Sequence, residues 1–320
     1  MGAAASSVLG PEGDGGAQDT GLGDLPESCI AEVMLHLDPP GICKLAKLSR
    51  TFRGAASGDF VWKTKLPSNY HYLLEKASDD RELRVPLTKK EIFARLCRQN
   101  PFDGGTKYGR YIILTCGDFG RMQEFWLEKH RGRFCMSISS KSFLITGIDD
   151  RRYWNYIPTE ESRFLSVAYL QQIWWFEVVG EIQFCFPPGT YSLYFRLYLG
   201  RPSRRLGRRI CNTEHIHGWD IKPVRFQLWT SDGQHTLCQC TIDDPGCWIR
   251  YHVGDFEVMS SDVPIKVKFS MEQIDCTHTK GGLCVDSVLI YPKQLRQEKS
   301  SPLGVVPSEE VPWLGMDLPC

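Results

Sequence analysis

A chain of 320 residues in which 42% of the residues are hydrophobic is long enough to form two domains and to bury at least one full core. Its 38 basic and 38 acidic residues cancel, which excludes a global field that draws the chain to nucleic acid or anionic lipid. The longest apolar runs, such as 111–114 and 173–176, are far shorter than the roughly 18 residues needed to cross a bilayer, so we expect a soluble protein.

The N-terminal segment 1–23 is dominated by Gly, Ala, Ser and Asp and predicts a disordered tail. It begins Met1-Gly2-Ala3-Ala4-Ala5-Ser6, a pattern in which Gly2 becomes myristoylated after Met1 is removed. The alternative is an unmodified start of small residues. The segment has no basic stretch followed by an apolar one, so we expect no secretory signal and expect the 13 cysteines to stay reduced.

The first helix is predicted over about residues 26–37. Asp24 can cap it and Pro26 suits its first turn. Its apolar residues follow one another at offsets of three and four, which gives one stripe: Ile30, Val33, Met34 and Leu37. The Pro39-Pro40 pair is predicted to end it.

Two further helices are predicted before residue 100. One starts after Gly41 and presents a face of apolar or small residues: Ile42, Leu45, Leu48, Ser49 and Phe52. The other starts with a capping box from Thr88 to Glu91 and closes before Asn100-Pro101. The first hundred residues are therefore predicted to be all-α.

From Phe134 onward the hydrophobic period changes from 3.6 to 2. Alternation over 191–199 and 263–272 predicts two half-buried strands, and residues 224–228 predict a third. Turn signals recur at hairpin-like intervals: 187–189, 231–233, 244–246 and 280–282. Short strands without intervening helices favour an antiparallel sandwich. The predicted fold class is thus α+β, with an all-α N-terminal module followed by an all-β sandwich of the jelly-roll type.

The sequence lacks the common catalytic signatures, namely a phosphate-binding loop, a nucleophile elbow and a zinc-binding His-Glu-x-x-His helix. Cys276, His278 and Cys284 lie close together, but without the spacing of a zinc knuckle they favour a loop with buried cysteine. The pair His215 and His217 has no second cluster at metal spacing. We therefore predict no metal, no cofactor and no catalytic residue, which disfavours a self-contained hydrolase.

Five arginines between Arg201 and Arg209 form the sharpest charge run. They fit a phosphate contact or a nuclear address, but a solvated loop between strands is the preferred interpretation.

Aromatic residues beside carboxylates are the candidate ligand contacts. Tyr153-Trp154 follows a loop that contains Asp150, and Trp219-Asp220 follows His217-Gly218. A sugar can lie on an indole ring while a carboxylate accepts its hydroxyl groups. The alternative is that both tryptophans fill the core.

The N-terminal helices resemble an F-box. The resemblance covers about 40 residues and is carried by 25–29, 45–53 and the closing Phe60-Val61-Trp62. It implies a three-helix module that binds the Skp adaptor of a cullin-based ubiquitin ligase. The implied contacts are apolar side chains and the Leu-Pro turn: Leu25, Pro26, Ile30, Val33, Leu37, Leu45, Leu48, Phe52 and Trp62.

The C-terminal part resembles the phloem protein 2 lectin family. The matching segments are 143–154, 161–164, 167–168, 173–178 and 281–286. In this order and in one chain, the two resemblances point to the plant F-box proteins of the phloem protein 2 A group. They imply these boundaries: a tail at 1–23, an F-box at 24–66, a helical linker at 67–123, a lectin-like sandwich at 124–293 and a disordered tail at 294–320.

The resemblance implies a non-catalytic substrate-recognition subunit of a Skp-cullin-F-box ubiquitin ligase, whose sandwich selects a glycoprotein or another protein. The alternative is a carbohydrate-binding lectin that acts without a ligase. The expected partners are the Skp-type adaptor, the cullin ligase and the substrate, with no nucleic acid, and a membrane only if Gly2 is acylated. We expect the protein in the cytoplasm and the nucleus.

Two departures from the family pattern stand out. Sugar-binding members carry a second tryptophan seven residues before the position of Trp154, and Gly147 stands there instead. Residues 108–123 look like an insertion, which we predict to be an exposed, mobile excursion.

Overall fold

The computed structural model describes residues 25–77, 86–102, 122–205, 208–297 and 305–307. Contacts along the chain divide it into two units, the first up to Val61 and the second from Trp62 onward. Within the described ranges, no helix combines the length and the apolar character that crossing a membrane requires.

The helices before the sheets are all short. They are α1 (Glu27–Leu35), α2 (Pro39–Leu45), α3 (Arg50–Ala55), α4 (Asp59–Lys63), α5 (Tyr70–Ala77) and α6 (Lys89–Leu96). The first lies inside the predicted range, while Asp24, its predicted cap, lies outside the described residues. The capping box of α6 is confirmed, because the Thr88 hydroxyl accepts a bond from the amide of Glu91 and the Glu91 carboxylate accepts one from the amide of Thr88.

The prediction of one helix after Gly41 is wrong, because two helices occupy this stretch. Asp38 caps α2 by accepting a hydrogen bond of 3.0 Å from the amide of Gly41. Pro39 and Pro40 therefore follow α1 and are also the first two residues of α2. Ser49 has extended backbone and accepts a bond of 3.2 Å from the amide of Phe52, which starts α3. The serine side chain competes with helix continuation, so the apolar period runs across a break.

In its described residues, the second unit contains two large sheets and a separate two-stranded sheet. Its strands are β1 (Asn100–Pro101), β2 (Gln123–Leu127), β3 (Phe134–Ser139), β4 (Leu144–Ile145), β5 (Trp154–Pro158), β6 (Ser166–Leu170), β7 (Phe176–Phe184), β8 (Gly189–Leu199), β9 (Arg201–Arg205), β10 (Arg208–Asn212), β11 (Val224–Thr230), β12 (His235–Cys240), β13 (Trp248–Val258), β14 (Ile265–Gln273), β15 (Leu283–Pro292) and β16 (Val305–Pro307). A short helix, α7 (Gln294–Gln297), follows β15.

The larger sheet has the order β1-β2-β3-β15-β8-β13-β16, with β6 paired to β15 and β5 paired to β6. The smaller sheet has the order β12-β11-β14-β7-β4, and β9 pairs with β10 alone. The two large sheets face each other through aromatic side chains. The ring centroid of Phe195 on β8 lies 5.8 Å from those of both Phe226 on β11 and Phe269 on β14. The ladders in the larger and smaller sheets pair neighbouring strands antiparallel. The predicted fold class, helices followed by an antiparallel sandwich, is confirmed.

Strand β8 is buried on both faces, although its alternation predicts a half-buried strand. Leu193, Phe195 and Leu197 face the smaller sheet, while Tyr194 and Tyr198 on the opposite face are also buried. Ring stacking and the arginine contacts described below cover that opposite face. The other predicted strand starts later than expected, because Val263 is exposed and β14 begins at Ile265.

The structure differs from the predicted segment boundaries at three places. Gln123, the last residue of the predicted excursion, is buried at the start of β2, whereas 108–121 lies outside the described residues. Helices α5 and α6 pack within the second unit, where Tyr72 contacts Phe184 of β7 at 5.2 Å. The predicted C-terminal tail contains α7 and β16, which pairs with β13.

The arginine run, interpreted as a loop, forms the hairpin of β9 and β10, with 206–207 outside the described residues.

Candidate functional sites

Several apolar side chains of the first unit are exposed. Leu25, Val33 and Leu48 are exposed, Leu48 to 68% of its surface, and Phe60 is an exposed residue that the sequence analysis did not select. Pro26 is also exposed. These side chains provide the apolar surface that a partner protein can cover.

Other predicted contacts lie elsewhere. Ile30 is buried with Met34 on the inner face of α1, so only Val33 of the predicted stripe on that helix lies on its outer face. Leu37, Leu45 and Phe52 are half-buried. Trp62 is buried in the second unit, where its ring lies 5.4 Å from that of Phe93. Burial removes Ile30 and Trp62 from the predicted surface, because neither side chain is accessible to a partner.

The two tryptophans selected as ligand platforms are core residues. Trp154 and Trp219 are each 1% exposed and both contact Phe176, with ring centroids 6.2 and 5.0 Å from it. Their indole N–H groups donate to the backbone oxygens of Thr146 and Gly281, at 3.1 and 2.7 Å. The interpretation of these rings as platforms is therefore wrong, and the alternative that they fill the core is confirmed.

The loop before Trp154 presents polar groups at the surface. Arg152 bonds to the carboxylate of Asp150 through its side chain at 2.7 Å and its backbone amide at 2.9 Å, and the hydrogen bond from the side chain is the main cause that lowers the pKa of Asp150. The guanidinium of Arg152 lies 5.6 Å from the ring centre of Tyr153, which is half-buried. Asp220, the last predicted contact, is exposed.

The glycine that replaces a family tryptophan is required by its turn. Gly147 has φ +77°, and a Cβ there would lie 3.3 Å from the ring of Tyr153. A tryptophan at this position would need left-handed backbone, which L side chains avoid. The left-handed backbone at this position therefore explains why the loop has glycine instead of tryptophan.

Two adjacent tryptophans that the sequence analysis did not select are exposed in the segment before β7. Trp174 is 53% exposed and Trp175 is 45% exposed. The indole N–H of Trp175 donates to Oε2 of Glu177 at 3.2 Å, and the Thr146 hydroxyl donates to the same oxygen at 3.4 Å. The alternation of β7 is the signal that could have found Trp175, because Phe176 and Val178 point inward and Trp175 is in phase with Glu177.

A buried lysine fixes the segment that carries these tryptophans. The ammonium group of Lys280 donates to the backbone oxygens of Trp174 and Asp275, at 2.6 and 2.5 Å. Burial lowers the pKa of Lys280, and the backbone of this residue exchanges two hydrogen bonds of 2.8 Å with Ile173. The backbone that carries the two exposed rings is therefore fixed by hydrogen bonds from Lys280.

Two of the histidines considered as metal ligands form hydrogen bonds with backbone oxygens instead. His217 and His278 contact backbone oxygens through ring nitrogens, those of His215 and Gly218, at 2.9 and 3.0 Å. Over the described ranges, no group of three or more His, Cys, Asp or Glu residues is arranged to hold a metal ion.

Comparison with known proteins gives the same two parts. A family model described as Phloem protein 2 matches residues 133–292, and an F-box domain model matches residues 22–64. The F-box proteins PP2-A13 and PP2-A12 of Arabidopsis thaliana are 58% and 53% identical to this chain, covering 87% and 89% of it and 90% and 92% of their own lengths. A native structure of a family 35 carbohydrate binding module from Clostridium thermocellum aligns with 49% of this chain and 98% of that one, at 10% identity and a TM-score of 0.30.

Proposed function

This chain belongs to the plant F-box proteins that carry a phloem protein 2 domain, and on that premise we propose that it is the substrate-recognition subunit of a Skp-cullin-F-box ubiquitin ligase. The F-box implies a Skp-type adaptor as its partner. In this role the chain is a non-catalytic adaptor, and its sandwich selects a protein or glycoprotein. We place it in the cytoplasm and nucleus, with membrane contact only if Gly2 is acylated.

The observation that carries this proposal is the exposed apolar surface of the first unit. Leu25, Val33, Leu48 and Phe60 expose apolar side chains on or beside short helices. Helices that present such side chains are recognised by apolar grooves on partner proteins. An adaptor that covers these side chains would remove them from water, which stabilises the complex.

Substitution of both Leu25 and Pro26 by Ala tests the adaptor contact. We expect at least about tenfold weaker binding to a purified Skp-type adaptor, because such interfaces concentrate their energy in a few anchors. Isothermal titration calorimetry measures the affinity, and circular dichroism checks that the sandwich stays folded. Ile221→Ala is the matched control, since it removes an exposed apolar side chain from the second unit. An unchanged affinity of the double variant would count against the assignment.

A second candidate is a lectin that acts without a ligase. It is favoured by the exposed indole of Trp175 beside the carboxylate of Glu177, since a ring face and a hydrogen-bond acceptor are the parts of a sugar site. Affinity purification of the tagged chain from plant extract separates the two functions. Recovery of Skp and cullin supports the ligase subunit, whereas recovery of glycoproteins without either supports the lectin.

A further inference from the structure

Trp248 on β13 shows how this fold binds an arginine. The indole N–H of Trp248 donates to Oε2 of Glu161 at 2.7 Å, so a carboxylate lies at the edge of the ring. The guanidinium of Arg196 lies 4.1 Å from the ring centre and forms an ion pair with Asp286 at 2.6 Å. The indole thus holds a carboxylate at its edge and a cation on its face.

Trp126 on β2 also carries a guanidinium on its ring face, and here the carboxylate that pairs with that guanidinium lies on the same strand as the ring. The guanidinium of Arg163 lies 3.9 Å from the centre of the Trp126 ring and forms an ion pair with Glu124. Glu124 and Trp126 are two residues apart on one strand, so they point to the same face. A tryptophan and a carboxylate at this spacing therefore contact one guanidinium through ring and charge together.

Trp175 and Glu177 have the same parts at the surface. They are also two residues apart, and the indole N–H donates to the carboxylate as in Trp248. The bonds from Trp175 and Thr146 both reach Oε2, which leaves Oε1 of Glu177 as an acceptor. Among the residues that the structure describes, no cation lies on the Trp175 ring and no ion pair reaches Glu177.

We propose that Trp175 and Glu177 bind an arginine side chain of the protein substrate, with the guanidinium on the indole face and against Oε1 of the carboxylate. This inference rests on the proposed role of the sandwich in substrate selection. Arginine fits better than lysine because a planar guanidinium stacks on a ring and pairs with a carboxylate at the same time. The bond from Lys280 to the Trp174 oxygen fixes the backbone next to Trp175, and the bond to Glu177 orients the Trp175 ring, which lowers the entropic cost of binding.

The test is an NMR titration of the ¹⁵N-labelled full chain with the peptide Gly-Gly-Arg-Gly-Gly, acetylated and amidated at its ends. The indole N–H signal of Trp175 is assigned by its absence in Trp175→Ala. We expect this signal to shift, and we expect the same peptide with citrulline, a neutral isostere of arginine, to bind at least about fivefold more weakly. Equal affinities for the two peptides, or no shift up to about 20 mM arginine peptide, overturn the proposal.

Variants and a second probe sharpen the result. Glu177→Gln should remove the preference for arginine over citrulline, whereas Trp174→Ala, which removes an exposed ring with no such carboxylate two residues on, should retain it. A preference that survives Glu177→Gln, or a Trp175 shift caused by tri-N-acetylchitotriose and not by the arginine peptide, contradicts the site. Binding of the Skp-type adaptor, measured in parallel on the wild-type chain, tests the ligase role separately.

Discussion

Buried and exposed tryptophans in the sandwich contribute differently to the stability of the fold. Trp154 is buried against Phe176 and bonds to the backbone of Thr146, whereas Trp175 is about half exposed. We expect Trp154→Ala to lower the free energy of unfolding by about 3–5 kcal/mol, because it leaves a large cavity in the core. Trp175→Ala should change it by no more than about 0.5 kcal/mol.

Urea unfolding followed by circular dichroism measures both effects. We expect Trp154→Phe to lower the free energy of unfolding by less than Trp154→Ala, because it keeps a ring on Phe176 and loses only the bond to Thr146. This variant replaces Trp154→Ala in the measurement if the alanine variant does not fold. Equal and small effects of Trp154→Ala and Trp175→Ala would show that Trp154 is not a core residue.

Residue type alone could not separate these roles. The sequence predicted ligand contacts at Asp150, Tyr153 and Trp154, and the carboxylate of Asp150 does reach the surface. An indole satisfies both a core and a ligand site, so only the direction of the side chain decides between them. That direction follows from the alternation of the strand, and Trp175 lies one residue before β7 begins, where the alternation is not yet visible as a strand pattern.

At the scale of elements, the segment Glu161 to Arg163 fastens the loop between β5 and β6 onto the outer face of the larger sheet. Three consecutive side chains each contact a different strand: Glu161 bonds to Trp248, Ser162 to Asp286 and Arg163 to Glu124. Together these contacts explain why Tyr198 and Trp248 are buried on a face that does not pack against the other sheet. Stacked arginines therefore take the place of a second apolar layer.

We expect Arg163→Ala to destabilise the second unit by about 3 kcal/mol, because it leaves the buried carboxylate of Glu124 without that guanidinium. The matched control is Arg152→Ala, which breaks an ion pair at the surface and should cost no more than about 0.5 kcal/mol. Chemical denaturation of the two variants in parallel measures the difference. If both variants lose the same small amount, the contacts of Arg163 do not hold the loop.

Local signals determined how well the elements were predicted. The capping box at Thr88 and Glu91 combines two reciprocal bonds within four residues, and the sequence predicted it correctly. The break at Ser49 was missed because the apolar period continues across it while a single side-chain bond starts the new helix. The burial of the outer face of β8 depends on Arg196 and Arg163, whose partners lie on distant segments that no local pattern reports.

For the whole molecule, the change of hydrophobic period was the informative signal. Helical spacing before residue 100 and alternation after Phe134 predicted helices followed by a sandwich, and the structure has this order. The partition into units was less accessible, because α5 and α6 look like a linker in sequence but pack in the second unit through Tyr72 and Phe184. Contacts between residues more than a hundred positions apart decide such boundaries.

The junction before β2 permits a test of the whole architecture. Met122 and Gln123 belong to the sheet, since the Met122 oxygen accepts a bond of 2.8 Å from the amide of Ser139 and the Gln123 oxygen accepts one of 3.1 Å from the amide of Phe102. Residues 108–121 lie outside the described residues, and we predict that the fold does not need them. Deletion of 108–121 should leave the free energy of unfolding unchanged or raise it slightly, because a shorter connection costs less entropy to close.

Deletion of 108–123 is the control that differs by these two residues alone. It removes both backbone bonds and the buried start of β2, so we expect it to be less stable than the shorter deletion by about 1–3 kcal/mol. Differential scanning calorimetry of the full chain and the two deletions measures the order of their melting temperatures. A large fall for the shorter deletion would place 108–121 in the core of the second unit, since only packed or paired residues stabilise the folded state that strongly.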